Sequence, residues 1–139
     1  MASIFEAIHE RWAADTALVA LVPAASFITG NVEVDSVDEP TRPYVSLQAT
    51  IGGAPEYTNL AKHADRSVRF LVFEDADDFD NLLSIVEALE SAFDRAAFTV
   101  DGDQTALNMQ ETSEPQYLQD DAGRWYAVVD FRITLRKTL

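Results

Sequence analysis

The sequence predicts an α+β domain, a mostly antiparallel β-sheet with two main helices packed on one face. Three observations predict it. Residues 3–14 and 75–94 space their apolar side chains for helices. Residues 44–51, 66–74 and 124–136 alternate apolar and polar side chains as strands do. The strand segments also follow one another across turns instead of alternating regularly with helices. With 139 residues, 47% of them apolar, and Phe 8, Tyr 4 and Trp 2, the chain is one domain, 1–139, able to bury a core. Wholesale disorder is excluded.

Ser3 and Glu6 have capping-box spacing, and Ile4, Phe5, Ile8 and Trp12 then share one helical face. Asp15 or Thr16 can cap a short further turn through Ala17, Leu18 and Leu21, ended by Pro23. Residues 24–43 contain Gly30, Pro40 and Pro43 and read as a loop with room for a short strand at 31–34. In 44–51, Val45, Leu47, Ala49 and Ile51 face one way, and Ser46, Gln48 and Thr50 the other. Gly52, Gly53 and Pro55 open a long polar loop to about Asp65, of a length that is usually functional or mobile. The next strand points Val68, Phe70 and Val72 at the core, while Leu71 and Phe73 call for cover on its second face.

Phe79, Leu82, Val86, Leu89 and Phe93 then step by three and four along the clearest helix, with acids expected in its first turn. An Asp-Gly turn at 101–102 separates short strands near 98–100 and 106–111. Residues 115–123 are polar, with a turn at 121–123. The last strand sets Trp125, Ala127, Val129, Phe131, Ile133 and Leu135 against Arg124, Tyr126, Asp130, Arg132 and Arg136.

Acids outnumber bases 24 to 10, for a formal net charge of −14. That excess argues against a nucleic-acid binder and against docking on anionic lipid. Fourteen acids lie from Glu74 to Asp121 against one base, Arg95; the rest of the chain, with ten acids and nine bases, is nearly neutral. A chain polarised in this way suits head-to-tail association as well as a solvated acidic face. Cysteine is absent, so disulfides and thiolate chemistry are out. No apolar run reaches membrane-span length, and the N-terminus lacks the pattern of a signal peptide.

Catalytic signals are missing. His9 has Ala13 at i+4, and His63 falls in the polar loop, so neither begins a zinc motif. The acids from Glu74 to Asp80 lack the glycine and the terminal glutamate of a calcium loop. Gly52-Gly53 is no dinucleotide fingerprint, and there is no Walker lysine or nucleophile elbow. The expectation is a protein that is not an enzyme and takes no cofactor and no metal. The outer face of the last strand, with Tyr126 and its arginines, is the most partner-like patch.

The order of these segments resembles the tail-completion family of long-tailed bacteriophages, also called tail terminator or tail-to-head joining proteins. The resemblance begins in residues 4–22, IFEAIHERWAADTALVALV, and continues in the PYVSL of residues 43–47 and the loop from Gly53 to Tyr57. It extends to residues 68–73, VRFLVF, and to the closing WYAVVDFRI of residues 125–133. Here Phe73 leads into an acidic run where the family often has a Trp or Cys and a small polar turn.

The resemblance implies a virion protein at the tail–head junction, assembled in the host bacterial cytoplasm. It would form a homo-oligomeric ring, usually of six, on the tail tube protein. There it would stop tube growth and dock a head connector or stopper protein, while DNA passes through unbound. Gly53, Glu56, Tyr57, Lys62, Tyr126, Arg132 and Arg136 are the expected interface residues. Asp75, Asp77, Asp78, Asp101, Asp103, Asp120 and Asp121 are the expected acidic lumen. The alternative is a small acidic α+β regulatory domain that dimerises and recruits a basic protein partner.

Overall fold

Asp15 settles the first turn of the chain. Its carboxylate accepts the Leu18 N–H at 3.0 Å, ending α1 (Ile4–Ala14) and starting α2 (Thr16–Leu21). The computed structural model describes residues 4–30, 37, 39–51, 56–57, 61–75, 77–100 and 104–138. A single turn of 3-10 helix, Ala24–Ser26, leads into β1 (Phe27–Thr29) and then β2 (Tyr44–Ile51). The chain continues through β3 (Glu56–Tyr57), β4 (Ala61–Phe73), α3 (Phe79–Phe93), β5 (Ala96–Thr99), β6 (Gln104–Glu111), β7 (Gln116–Gln119) and β8 (Trp125–Thr138).

The strands form one sheet in the order β1-β2-β4-β8-β6-β5, with β3 beside β4 and β7 beside β8. Among the described residues only β1 and β2 are parallel, and every other pair is antiparallel. The long central pair β4–β8 runs in unbroken register from Ala61 opposite Thr138 to Phe73 opposite Tyr126. The expected α+β architecture is therefore present, with the helices on one sheet face.

Between those layers lies the core. Trp12, Leu18, Leu82, Ile85, Leu89 and Phe93 from the helices meet Leu47, Phe70, Val129 and Phe131 from the sheet, all within 1% of full burial. Phe70 sits at the centre, with ring centroids of Phe93 at 5.3 Å, Phe131 at 5.6 Å and Trp12 at 6.4 Å. Trp12 keeps its one polar atom satisfied by donating to the Val22 carbonyl at 3.0 Å. Arg11 reaches from α1 to the Ala92 carbonyl and lies over Phe93 and Phe98, tying the two helices together at their exposed rim. His9, expected on a helix side, lies 3.0 Å from the Ala24 carbonyl with its ring near Phe27.

Several boundaries differ from the sequence expectation. Where it is described, the polar loop expected up to Asp65 is sheet: β4 begins at Ala61, and Glu56 and Tyr57 pair with His63 and Lys62. Backbone pairing to β8 sustains this strand where apolar alternation has stopped, so the pattern could not mark it. β7 likewise lies inside the polar stretch 115–123, and β1 precedes residues 31–34, which are outside the described residues. The main helix starts at Phe79, so Asp80 alone stands in its first turn. Before it, Asp78 N–H donates to the Asp75 carbonyl in the approach that starts at Glu74.

Candidate assembly surface

One face of the sheet carries the helices; the other carries none of the described helices. Its composition follows from strand alternation: β4 residues 65, 67, 69, 71 and 73 and β8 residues 126, 128, 130, 132, 134 and 136 point to it. Register arranges these side chains in rows across the sheet, and the rows change character from one end to the other.

The row at the first end is aromatic. Tyr44, Phe73, Tyr126 and Leu118 are consecutive cross-strand neighbours on β2, β4, β8 and β7. Tyr44 and Phe73 stack at 4.7 Å, and Phe73 and Tyr126 at 6.1 Å. Burial rises along the row, from Leu118 at 40% exposed to Tyr44 at 0%. Ser46, Leu71, Val128 and Gln116 form the next row. Ser46 donates its hydroxyl proton to the Gly30 carbonyl, holding the entry to β2.

The middle row is polar. Arg69 and Asp130 are opposite each other and form a two-pronged ion pair, 2.7 Å from Nε and 3.2 Å from Nη2. They line a cleft of about 350 Å³ with Gln48, Ser67 and Thr112. Beyond it the face turns cationic: Arg132 lies opposite Ser67 and Gln110, and Arg136 opposite His63 and Thr105. Both arginines are exposed, and among the described residues neither forms an ion pair. Asp65, between them, accepts from the Thr134 hydroxyl at 3.0 Å.

The end of the sheet beside the aromatic row is acidic. The approach to α3 and the β7–β8 turn both fall there, which brings together Asp75, Asp77, Asp78, Asp120 and Asp121 from distant parts of the chain. A buried arginine braces this end. The Arg42 side chain is 6% exposed, donates to the Glu74 carbonyl at 3.0 Å, and lies over the Phe73 ring. It is also 3.6 Å from Glu39 and 4.0 Å from Asp120. Glu39 in turn accepts the Tyr44 phenol; burial first and this carboxylate next raise the Tyr44 pKa well above its ordinary value.

Glu74, Asp75 and Asp78 bring three carboxylates within 4.8 Å of one another. Both Glu74 oxygens are already engaged, one by Asp75 N–H and the other by the Asn81 amide, so the side chain caps the approach to α3. Asp120 is equally committed. Its oxygens accept from the Ala122 and Arg124 N–H groups and the Arg124 guanidinium. Burial alone would raise its pKa, but those donors together hold the carboxyl below its ordinary range. Asp120 therefore shapes the turn, leaving Asp75, Asp77, Asp78 and Asp121 as the exposed acids of this end.

The helix layer has its own acidic face. Asp80, Ser84, Glu87 and Ser91 form the exposed stripe of α3, while Asp94, which follows the helix, accepts the Glu111 N–H of β6 at 3.0 Å. At its end, Glu111 approaches Glu90, with Asp94 and Glu114 nearby; burial first, then bonding to Glu90 and these charges, push its pKa up to about 7. The enclosed Oε2 of Glu111 meets no donor, in keeping with burial as the main cause of that rise.

The expected interface residues thus divide. Tyr126, Arg132 and Arg136 share the outer face, but Tyr126 is half-buried against Phe73 and acts as part of a packed row, since its cross-strand neighbours are large. Glu56, Tyr57 and Lys62 belong to paired strands rather than a loop, at the cationic end of the sheet. Gly53, Asp101 and Asp103 lie outside the described residues. Arg69, Asp130 and Arg42 were not among the expected site residues. The alternation of 66–74 and 124–136 carries a signal for the first two, since it puts Arg69 and Asp130 on the outer faces of their strands, but their pairing comes from the register alone.

Comparison with known proteins identifies a family and a fold. The sequence profile described as tail completion protein gp17 matches residues 6–136. Among solved structures, a chain in the virion of a native gene transfer agent particle aligns at a TM-score of 0.72 and 16% identity, covering 96% of this chain and 95% of that one. At that identity the likeness is one of fold. No curated protein matches the sequence.

Proposed function

The chain belongs to the tail completion protein gp17 family, the phage tail structural proteins of the virion, and from that premise we propose that it caps the tail tube as a ring of about six copies. In this reading the ring stops tube growth, forms the joint to the head connector, and lets DNA pass through its lumen. Heterologous contacts that close a ring need two different, complementary surfaces on each copy. The chain has them on the two outsides of its layers: a sheet face that becomes cationic at Arg132 and Arg136, and a helix face that carries Asp80 and Glu87.

This polarity of the two layers is the observation that carries the reading. Spacing supports it too. Arg132 and Arg136 are about 13–14 Å apart along a strand, and Asp80 and Glu87 are about 10 Å apart along a helix, within the reach of arginine side chains. The Arg69–Asp130 cleft in the middle of the sheet face offers a polar recess for a side chain of the neighbour. Asp75, Asp77, Asp78 and Asp121, gathered at one end of the sheet, suit a lumen wall that repels passing DNA.

Reversing both arginines, Arg132→Glu with Arg136→Glu, is expected to abolish a salt-sensitive species near six times 15.4 kDa, seen by light scattering with tail tubes present. Wild-type mass from a folded double variant contradicts the assignment of this face. DNA ejection tests the lumen separately: Asp75→Lys with Asp77→Lys is expected to slow it, and unchanged ejection removes those acids from the wall.

A further inference from the structure

β7 ends the sheet on one side in an unusual way. Its four residues, Gln116, Tyr117, Leu118 and Gln119, carry no charge and contain no proline, and their backbone is paired on one side only among the described residues. Natural edge strands are commonly blunted by lysine, proline or a bulge, because an open row of N–H and C=O groups is a template for another strand. None of these devices is present within β7.

The hydrogen-bond phase of the edge can be read from the turn. Asp120 N–H donates to the Arg124 carbonyl, so 120 and 124 form a bonded pair, and the register carries this to 118 with 126 and 116 with 128. The backbone groups of Tyr117 and Gln119 consequently point away from β8, into solvent. Leu118 extends the aromatic row to the edge and is 40% exposed there, leaving an apolar contact for a side chain of an added strand.

Charge says what kind of strand fits. Glu114 precedes β7, Asp121 follows it, and both are exposed. Burial first, then the carboxylates of Glu90, Glu87 and Glu111, raise the Tyr117 pKa, so negative charge also reaches the strand from α3 and β6. Two copies of β7 paired antiparallel would bring Glu114 of one toward Asp121 of the other, an unfavourable arrangement. The cationic strands of this chain are themselves occupied: β4 lies between β8 and β2 with β3, and β8 lies between β4 and β6 with β7.

We infer that the outer edge of β7 takes up an extended segment of a different protein of the particle, one with an apolar side chain for Leu118 and cationic residues at both ends. The inference deepens the proposed joint by naming the chemistry of one partner, and it is separable from the ring, which uses other surfaces. Strand addition supplies affinity through the backbone groups of Tyr117 and Gln119, while the flanking acids select basic ends.

Hydrogen exchange on the full chain, free and within assembled tails, tests it. The Tyr117 and Gln119 amides are expected to exchange openly in the free chain and at least about 100-fold more slowly in the tail. Equal rates in both states overturn the inference, even if rings form. Protection that appears in the isolated chain with rising concentration makes the occupant a second copy and overturns the partner assignment. Gln119→Pro removes an outward N–H at an edge position, together with the Gln119 side-chain amide's bond to the Gly123 carbonyl, and Gln119→Ala, which loses only that side-chain bond, is its control. The folded proline variant is expected to keep its self-association and lose at least tenfold in tail completion. Completion at the wild-type level contradicts the inference; protected amides without a ring support it while the ring reading fails.

Discussion

Asp15 and Glu111 mark opposite limits of what single residues disclose. Asp15 acts within three residues of itself, accepting Leu18 N–H, and its capping role was legible from type and position. Asp15→Ala is expected to cost about 1 kcal/mol, measured by denaturant unfolding. Glu111 acts on Glu90, which lies on a different element, and no local pattern connects them. Its folded-state pKa of about 7 exceeds the ordinary 4.5, so the folded protein binds the proton more tightly than the unfolded chain. Below about 4.5 the group is protonated in both states. Stability therefore falls as pH rises from 4.5 through 7, with the full cost present above 7. Glu111→Gln is expected to flatten that slope and to stabilise the protein at pH 8 by on the order of 1 kcal/mol after solvent screening. An unchanged pH profile of Tm would refute the pairing.

Elements were legible where burial wrote a period into the sequence. α3 and the inner faces of β2, β4 and β8 carry such periods because the helices cover that side of the sheet. β7 and the first residues of β4 carry none: they are polar, and the sheet holds them through backbone pairing with β8. The outer face was half legible. Leu71 and Phe73 announced that something covers it, but only register reveals that Phe73 stacks between Tyr44 and Tyr126. At this scale Phe70→Ala, which empties the meeting point of both layers, is expected to cost about 3–5 kcal/mol in denaturant unfolding. Asp130→Ala breaks a half-exposed ion pair and is expected to cost under about 1 kcal/mol by the same measurement. Any larger effect of that variant on assembly would belong to the contact surface rather than to the fold.

The whole molecule is polarised in two directions. Along the central strands it runs from the acids at 75–78 and 121 to the cations at 132 and 136; across its layers it runs from the α3 acids to the arginine-bearing sheet face. The sequence showed that charge was segregated along the chain, but a linear count could not assign it to faces, because Asp121 and Asp75 become neighbours only through the sheet. The family and the fold were legible from the order of strands and helices; the surfaces required the register. Contacts of this kind between exposed charges weaken as salt rises, so ring mass is expected to fall between low and moderate ionic strength.

The most direct measurement combines two assembly-disabling charge reversals in one chain. Arg132→Glu with Arg136→Glu disables the sheet face, and Asp80→Lys with Glu87→Lys disables the helix face; each alone is expected to remain small by light scattering. A chain carrying both changes restores opposite charges at every contact and is expected to recover a ring-sized species in the presence of tail tubes. Failure of that combined variant to assemble, while folded, would contradict the pairing of the sheet face with the helix face.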